Sequence, residues 1–166
     1  MKVAIDSDIF FFCIVSGSNR SDIDPEDMRR FLNRLSGAPK IKLYVPISVI
    51  GEVVIICLTG SESNKSSSTH DLGDLHDMID LWGKLDLAFL YPNEIVAEVC
   101  YRLTEKYRAD RRLTDTDRVH LCYALAYRMD YFLTTDQNLK HYVPANSGLK
   151  VIDPREARSL VAKPKD

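Results

Sequence analysis

Apolar residues along the chain form short continuous runs that alternate with longer segments of helical periodicity. The continuous runs predict strands at 2–6, 41–45, 85–90, 131–134 and 149–152. Between the strands, apolar positions that recur every three or four residues predict helices. The predicted helices lie at 9–15, 25–36, 47–58, 70–83, 93–107 and 116–129, with a last one that begins at Pro154.

Strands that alternate with helices favour a mainly parallel sheet, because parallel neighbours need a crossover connection and the crossover is usually a helix. We therefore predict the α/β class, as a three-layer α/β/α sandwich around a mainly parallel five-stranded sheet. The length of 166 residues fits a single domain over 1–162, followed by a frayed tail at 163–166. The serine-rich stretch 60–69 is predicted to be a loop.

Composition and charge restrict the function classes. The chain has 22 Lys and Arg against 24 Asp and Glu, so its overall field does not attract nucleic acid, and a polyanion would have to meet a local basic patch or a metal. The four cysteines form no C-x-x-C pair, which fits reduced, buried thiols. We expect a cytoplasmic protein without a membrane role, because Met1–Asp6 lacks a signal-peptide pattern and no apolar run reaches the ~20 residues of a membrane helix.

Glu52 lies in an apolar helical segment without a cation nearby. No Lys or Arg occurs between Lys42 and Lys65, so the side chain has no partner three or four residues away. Burying an unpaired carboxylate is costly. Either Glu52 lies at the solvated edge of its helix, or a positive charge reaches it from elsewhere in the fold.

Two further acids, Asp6 and Asp136, directly follow predicted strands. The carboxyl ends of parallel strands form one edge of the sheet, and ligand sites of open α/β folds lie there. Either acid can instead cap the helical turn that follows it. At the next helix, Asp115 and Asp117 compete for one role, since Thr114-x-x-Asp117 resembles a capping box.

Carboxylates that are brought together from different elements repel each other unless a cation neutralises them. Mg²⁺ and Mn²⁺ prefer oxygen ligands and keep part of their water shell. Water on such an ion is more acidic and can attack a phosphodiester. His120 lies three residues after Asp117, and for its side chain we expect only packing.

Four segments stand out together, namely Val3-Ala4-Ile5-Asp6-Ser7-Asp8-Ile9-Phe10, Ile47-Ser48-Val49-Ile50-Gly51-Glu52-Val53, Asp117-Arg118-Val119-His120-Leu121 and Tyr131-Phe132-Leu133-Thr134-Thr135-Asp136. Together they resemble the PIN-domain ribonucleases, the toxins of many toxin–antitoxin pairs. The order and spacing of the segments carry the resemblance, which spans most of the chain.

The resemblance implies that Asp6, Glu52, Asp117 and Asp136 bind Mg²⁺ or Mn²⁺ and are catalytic, with Thr134 as a supporting hydroxyl. It also implies a parallel five-stranded sheet, an RNA substrate, an antitoxin partner and frequent homodimers. The sequence departs from the family pattern at two supporting positions. Asp8 stands where Asn, Ser or Thr is more usual, and Asp115 competes with Asp117 for the third acid.

An RNA substrate needs a cationic approach surface, and the richest candidate region surrounds the predicted helix start at 116. Arg111, Arg112 and Arg118 are the candidate RNA-binding residues. The acids among them leave open that this is only a solvated helix face with internal ion pairs.

Two other functions remain open at this point. Asp6-Ser7-Asp8 after a strand is similar to the D-x-D nucleophile and acid of haloacid-dehalogenase-type phosphatases, although that similarity leaves Glu52 unexplained. Alternatively, the chain is a non-catalytic binding module of the same fold whose acids only cap helices.

Overall fold

A computed structural model describes residues 1–14, 24–62 and 70–161, with the side chains of 60–62 excepted. Its five strands form one sheet in the order β3-β2-β1-β4-β5, and every neighbouring pair is parallel. The strands are β1 (Lys2–Ile5), β2 (Lys42–Pro46), β3 (Leu87–Leu90), β4 (Tyr131–Leu133) and β5 (Lys150–Ile152). The predicted fold class is confirmed.

The helices connect these strands. They are α1 (Ser7–Phe11), α2 (Pro25–Ser36), α3 (Ile47–Glu62), α4 (Leu72–Lys84), α5 (Glu94–Tyr107), α6 (Asp115–Ala126) and α7 (Pro154–Val161), and a 3₁₀ helix covers Gln137–Tyr142. Among the described residues, no helix is long and apolar enough to cross a membrane.

Alternating side chains of the central strand bury two cores on opposite faces of the sheet. Val3 and Ile5 pack in one core with residues of α1 to α4, and Ala4 packs in the other with residues of α5 and α6. Successive strand residues point to opposite faces, so a strand buried on both faces is apolar throughout. This placement of the helices gives the three layers.

The helix starts follow local capping chemistry. Pro25 opens α2 at a position where its missing N–H costs no hydrogen bond. Asp71 caps α4 in a capping box with Asp74. The α1 helix begins at Ser7 with Asp6 as its cap, rather than at Ile9 as the apolar run predicts, because the Asp6 carboxylate accepts the Ser7 N–H.

Some expectations concern residues beyond the described ranges. The predicted tail at 163–166 lies outside them, and so do residues 63–69 of the predicted serine-rich loop. Residues 60–62 belong to the last turn of α3 instead of that loop. Cys13, Cys57 and Cys122 are buried free thiols as expected, whereas Cys100 is only half-buried.

The chain order creates a switch point between β1 and β4. From β1 the chain continues to β2 and β3 on one side, and β4 and β5 then add to the other side of β1. At such a point the connections leave the carboxyl edge of the sheet in opposite directions and open a crevice. Asp6, directly after β1, lies at this crevice.

Candidate active site

Asp6 and His120 form the buried centre of the crevice. Asp6 is 3% exposed and His120 is 1% exposed. Nδ1 of His120 lies 2.8 Å from Oδ1 of Asp6, which also accepts the Ser7 N–H at 2.8 Å. Strand pairing fixes the Asp6 backbone, because its N–H donates to the Leu133 carbonyl at 3.0 Å. The carboxylate is therefore held by a strand, a helix start and an imidazole.

Glu52 reaches the opposite side of the same imidazole from α3. Its Oε2 lies 3.8 Å from Nε2 of His120, and the Glu52 side chain is 26% exposed. Both of these atoms are buried and have no hydrogen-bond partner among the described residues. The α3 helix starts directly after β2, the strand beside β1, which carries Glu52 to the crevice. The side chain that faces Glu52, which has no cation in its own helix, thus comes from α6.

The carboxylates change the proton affinity of this histidine. Burial alone lowers the pKa of His120, because a buried imidazolium loses hydration. The hydrogen bond to Asp6 and the negative charges of Asp6, Glu52 and Asp117 outweigh burial and raise that pKa above its usual value. The acids around the ring therefore favour its protonated form more than burial alone would.

Asp117 belongs to the cluster through the first turn of α6. Its Oδ2 accepts the Thr114 hydroxyl at 2.6 Å, and its N–H donates to Thr114 Oγ1 at 3.1 Å. Burial raises the pKa of Asp117, and the charges of Asp6 and Asp136 raise it further, although the Thr114 hydroxyl acts in the opposite direction. The mutual influence shows that carboxylates of β1, α6 and the β4 end share one region.

Asp136 and Thr134 lie just beyond β4. The Thr134 hydroxyl is fully buried, accepts the Asp136 N–H at 3.1 Å and donates to Oδ2 of Asp8 at 3.2 Å. Asp136 also caps the 3₁₀ helix, because its carboxylate accepts the Asn138 N–H at 2.9 Å. The predicted capping role is thus present, and it leaves Asp136 close enough to influence Asp117.

Asp8 is a fifth acid beside the cluster. Its Oδ2 accepts the Thr135 N–H at 2.7 Å and the hydroxyl groups of Thr134 and Thr135, whereas its buried Oδ1 has no partner among the described residues. Burial and the charge of Asp6 raise the pKa of Asp8 to about 7, against the hydrogen bonds from Thr135 and Thr134. The sequence names Asp8 as a supporting position, and the structure adds its contacts with Thr134 and Thr135.

Asp115 is exposed at the rim of the cavity that Glu52 and His120 also line, and it pairs with an arginine. Its side chain is 95% exposed and its Oδ1 accepts from Nη1 of Arg118 at 2.7 Å. Arg112 is held by Asp110, through Nη2 at 2.7 Å and Nε at 3.0 Å. Of the three predicted RNA-binding arginines, only Arg111 is exposed without an ion pair to a described residue.

The donor set fits a divalent cation. Within salt-bridge distance of Asp6, Asp8, Glu52, Asp117 and Asp136, the described ranges offer no Lys or Arg. Two buried oxygens, Glu52 Oε2 and Asp8 Oδ1, are unpartnered, and hard cations bind carboxylate oxygens of this kind. Over 1–14, 24–59 and 70–161, no three His, Cys, Asp or Glu side chains are already grouped as ligands of one ion. Small side-chain movements would therefore accompany metal binding.

A cavity opens from this cluster to the surface. It has a volume of about 580 Å³ and lies between α3 and α6. Its walls are largely apolar, with Glu52 and His120 at the polar end, and its lining residues include Gly51, Ile55, Ile56 and Val119. Glu52 and His120 are therefore accessible to a ligand from one side.

His120 is the site residue that sequence reasoning missed. The expectation for this side chain was packing alone, but its ring lies between Asp6 and Glu52. The position of His120 one turn after Asp117 places both side chains on the same face of α6. The three-residue spacing between Asp117 and His120 was the available sequence signal for a site role of His120. A second signal was Asp6, an acid at a strand end with no cation near it in sequence.

Comparison with known proteins gives the fold. No family model matches the sequence, and no curated protein is significantly similar to it. Among solved structures, VapBC2 from Rickettsia felis, solved bound to a DNA fragment from their promoter, has a TM-score of 0.65 at 14% identity over 92% of this chain and 98% of that chain. VapBC-1 from nontypeable Haemophilus influenzae has a TM-score of 0.62 at 15% identity, over 93% of this chain and 99% of that chain. FitAcB from Neisseria gonorrhoeae has a TM-score of 0.59 at 11% identity, over 92% of this chain and 98% of that chain. The shared fold is PIN-like and covers nearly all of the chain.

Proposed function

We propose that this protein is a divalent-metal-dependent ribonuclease and the toxin of a toxin–antitoxin pair. The observation that carries the proposal is the convergence of acids from β1, α3, α6 and the β4 end on one crevice without Lys or Arg partners among the described residues. The solved proteins that share the fold come from toxin–antitoxin pairs, which supports a nuclease of this class.

Asp6, Glu52, Asp117 and Asp136 are the residues that would hold Mg²⁺ or Mn²⁺. A bound divalent ion makes its water more acidic and stabilises negative charge on the leaving oxygen. The protein supplies the position of each carboxylate. Asp6 is fixed by the Ser7 N–H and His120, and Asp117 by the Thr114 hydroxyl.

The hydroxyl network beyond β4 keeps the remaining acids in place. Thr134 joins Asp8 to the backbone of Asp136, so the end of β4 cannot move without breaking two hydrogen bonds. Such fixed positions matter in phosphoryl transfer, where catalysis is mostly positioning and charge stabilisation. Arg111, which is exposed, would supply cationic contact to the RNA backbone.

The phosphatase alternative fits the geometry poorly. A nucleophilic aspartate must present a free oxygen to phosphorus. Asp6 is 3% exposed, and its Oδ1 is engaged by Ser7 and His120. Absence of turnover with a small phosphomonoester would agree with this geometry.

An antitoxin partner is proposed from the surface beside the site. The cavity between α3 and α6 is mostly apolar, and Ile55 at its wall is 61% exposed. An apolar segment of a partner that filled this cavity would cover Glu52 and His120. Toxicity of the chain in a host cell, relieved by a protein encoded beside it, would support this partnership, and the homodimer remains a prediction.

The decisive experiment is RNA cleavage by the wild-type protein with Mg²⁺ or Mn²⁺. We expect Asp6→Asn, Glu52→Gln, Asp117→Asn and Asp136→Asn to lose at least about 100-fold in rate, because each removes a charge that holds the cation. A chelator should stop the wild-type enzyme. Cleavage by all four variants at the wild-type rate would refute the role of these acids, and absence of metal-dependent cleavage by the wild type would leave the binding-module alternative.

A further inference from the structure

His120 presents an unsatisfied nitrogen to the acid cluster. Its side chain is 1% exposed, and Nε2 is buried without a hydrogen-bond partner among the described residues. Buried polar atoms are nearly always paired, so an exception of this kind calls for a ligand or a functional role. The nearest acidic oxygen is Glu52 Oε2 at 3.8 Å, which is also unpartnered.

The other ring nitrogen fixes the orientation of this group. An ionised carboxylate only accepts hydrogen bonds, so Nδ1 of His120 carries the hydrogen that it donates to Asp6. That bond directs Nε2 toward Glu52. Metal-binding histidines commonly donate their second N–H to a carboxylate, which holds the ring and increases its strength as a ligand. The Asp6–His120 pair has this arrangement.

The distance between the two unpartnered atoms suits a shared ion. Bonds from a metal to imidazole nitrogen or carboxylate oxygen are about 2.1 Å long. The 3.8 Å between Nε2 and Oε2 is shorter than two such bonds laid end to end, so one ion can touch both atoms. Asp117 and Asp136 contribute negative charge nearby.

We propose that His120 is a metal ligand through Nε2, together with Glu52, and that the site prefers a transition metal to Mg²⁺. The inference rests on the proposed metal-dependent function and adds a nitrogen ligand to the four acids named there. Imidazole favours first-row transition metals, whose affinity rises from Mn²⁺ to Co²⁺ and Ni²⁺, whereas Mg²⁺ prefers oxygen ligands. In this arrangement Asp6 orients the histidine in addition to contributing charge.

Metal binding without RNA tests the inference directly. We expect Co²⁺ to bind the wild-type protein at least about tenfold more tightly than Mg²⁺. The His120→Gln protein should lose about tenfold or more in Co²⁺ affinity and keep its Mg²⁺ affinity within about threefold. His141→Gln is the matched control, because His141 is exposed, and it should bind both ions as the wild type does. Equal Co²⁺ and Mg²⁺ affinity in the wild type would overturn the inference.

A second measurement needs no variant and therefore does not depend on whether His120→Gln folds. Pulsed electron paramagnetic resonance of bound Mn²⁺ should show coupling to a nitrogen, and the coupling should change when the protein is labelled with ¹⁵N-histidine. Mn²⁺ binding without such coupling would contradict ligation by His120 and leave the four-acid ribonuclease intact. Nitrogen coupling in a protein that never cleaves RNA would support the ligand and refute the proposed activity.

Discussion

Nδ1 of His120 lies 2.8 Å from Oδ1 of Asp6, although 114 residues separate the two in sequence. The contact joins the first strand to α6 at the point where the strand order reverses. It also explains how Asp6 and Glu52 approach each other, since the same ring faces both carboxylates. The site is therefore assembled around a histidine rather than from acids alone.

The roles of Asp115 and Asp117 should separate cleanly by mutation. Asp117→Asn should abolish RNA cleavage and weaken Mn²⁺ binding at least about tenfold, because its carboxylate lies in the acid cluster. Asp115→Asn should retain both properties, since Asp115 is 95% exposed and pairs with Arg118. Parallel assays of the two proteins check this, and a dead Asp115→Asn beside an active Asp117→Asn would reverse the assignment.

The stability of the metal-free protein should depend on Asp8. Its pKa is raised to about 7 in the fold, so the folded state binds a proton there that the unfolded chain has already lost above about pH 4. This contribution to stability is complete below pH 4 and is lost as the pH rises through 7. Asp8→Asn has no group that titrates at this position. Between pH 5 and pH 8, its free energy of unfolding should therefore fall by about 2 kcal/mol less than that of the wild type, allowing for partial exposure.

Urea unfolding of both proteins with chelator at pH 5 and pH 8 measures this effect. Asp115→Asn is the control, because it removes an exposed acid from the same edge of the sheet. An identical pH dependence in wild-type and Asp8→Asn proteins would show that the raised pKa does not exist.

Thr134→Val should destabilise the protein by about 1–3 kcal/mol, because Val has the same shape but cannot hydrogen-bond. The change leaves the Asp136 N–H and one oxygen of Asp8 without the buried Thr134 hydroxyl. Thermal unfolding should show the loss, and Mn²⁺ should stabilise the variant less than the wild type. Thr116→Val is the control, since Thr116 is exposed, and a similar loss there would argue against the network.

Arg111 should contribute more to RNA binding than its neighbours. Arg111→Gln should weaken binding of single-stranded RNA and reduce the dependence of log K on log salt by about 0.7, as expected for one phosphate contact. Arg112→Gln should instead mainly disturb the loop, because Arg112 holds Asp110 and Asp110 also accepts the Tyr142 hydroxyl. Salt titrations with catalytically inactive Asp117→Asn as the background measure both effects, and an unchanged slope for Arg111→Gln would exclude the contact.

The fold was predictable because local signals agreed with the global arrangement. Runs such as Val3-Ala4-Ile5 are apolar at every position, as a strand buried on both faces requires, and Asn93 caps α5 by accepting the Val96 N–H. The sequence does not define the end of a strand or the start of a helix where one residue can belong to both elements. Asp6 ends β1, caps α1 and belongs to the acid cluster, so the sequence alone could not show where the helix begins.

Asp6 and Asp136 could be selected as candidates because each follows a strand, and Glu52 because a carboxylate without a cation is costly in an apolar helix. Asp117 was selected only through the family resemblance. The contacts that support these acids could not be predicted from the sequence. The contacts of His120 with Asp6 and Glu52, and of Asp8 with Thr134 and Thr135, join residues far apart in the chain. Such pairs depend on strand order, which the pattern of apolar runs does not determine.

The most direct test of the central claim is calorimetric titration of the wild-type protein with Mn²⁺ beside Glu52→Gln. If the acids converge to hold a divalent ion, the wild type should bind Mn²⁺ and its melting temperature should rise as the metal saturates it, whereas Glu52→Gln should bind at least about tenfold more weakly. No heat of binding and an unchanged melting temperature in the wild type would contradict the account.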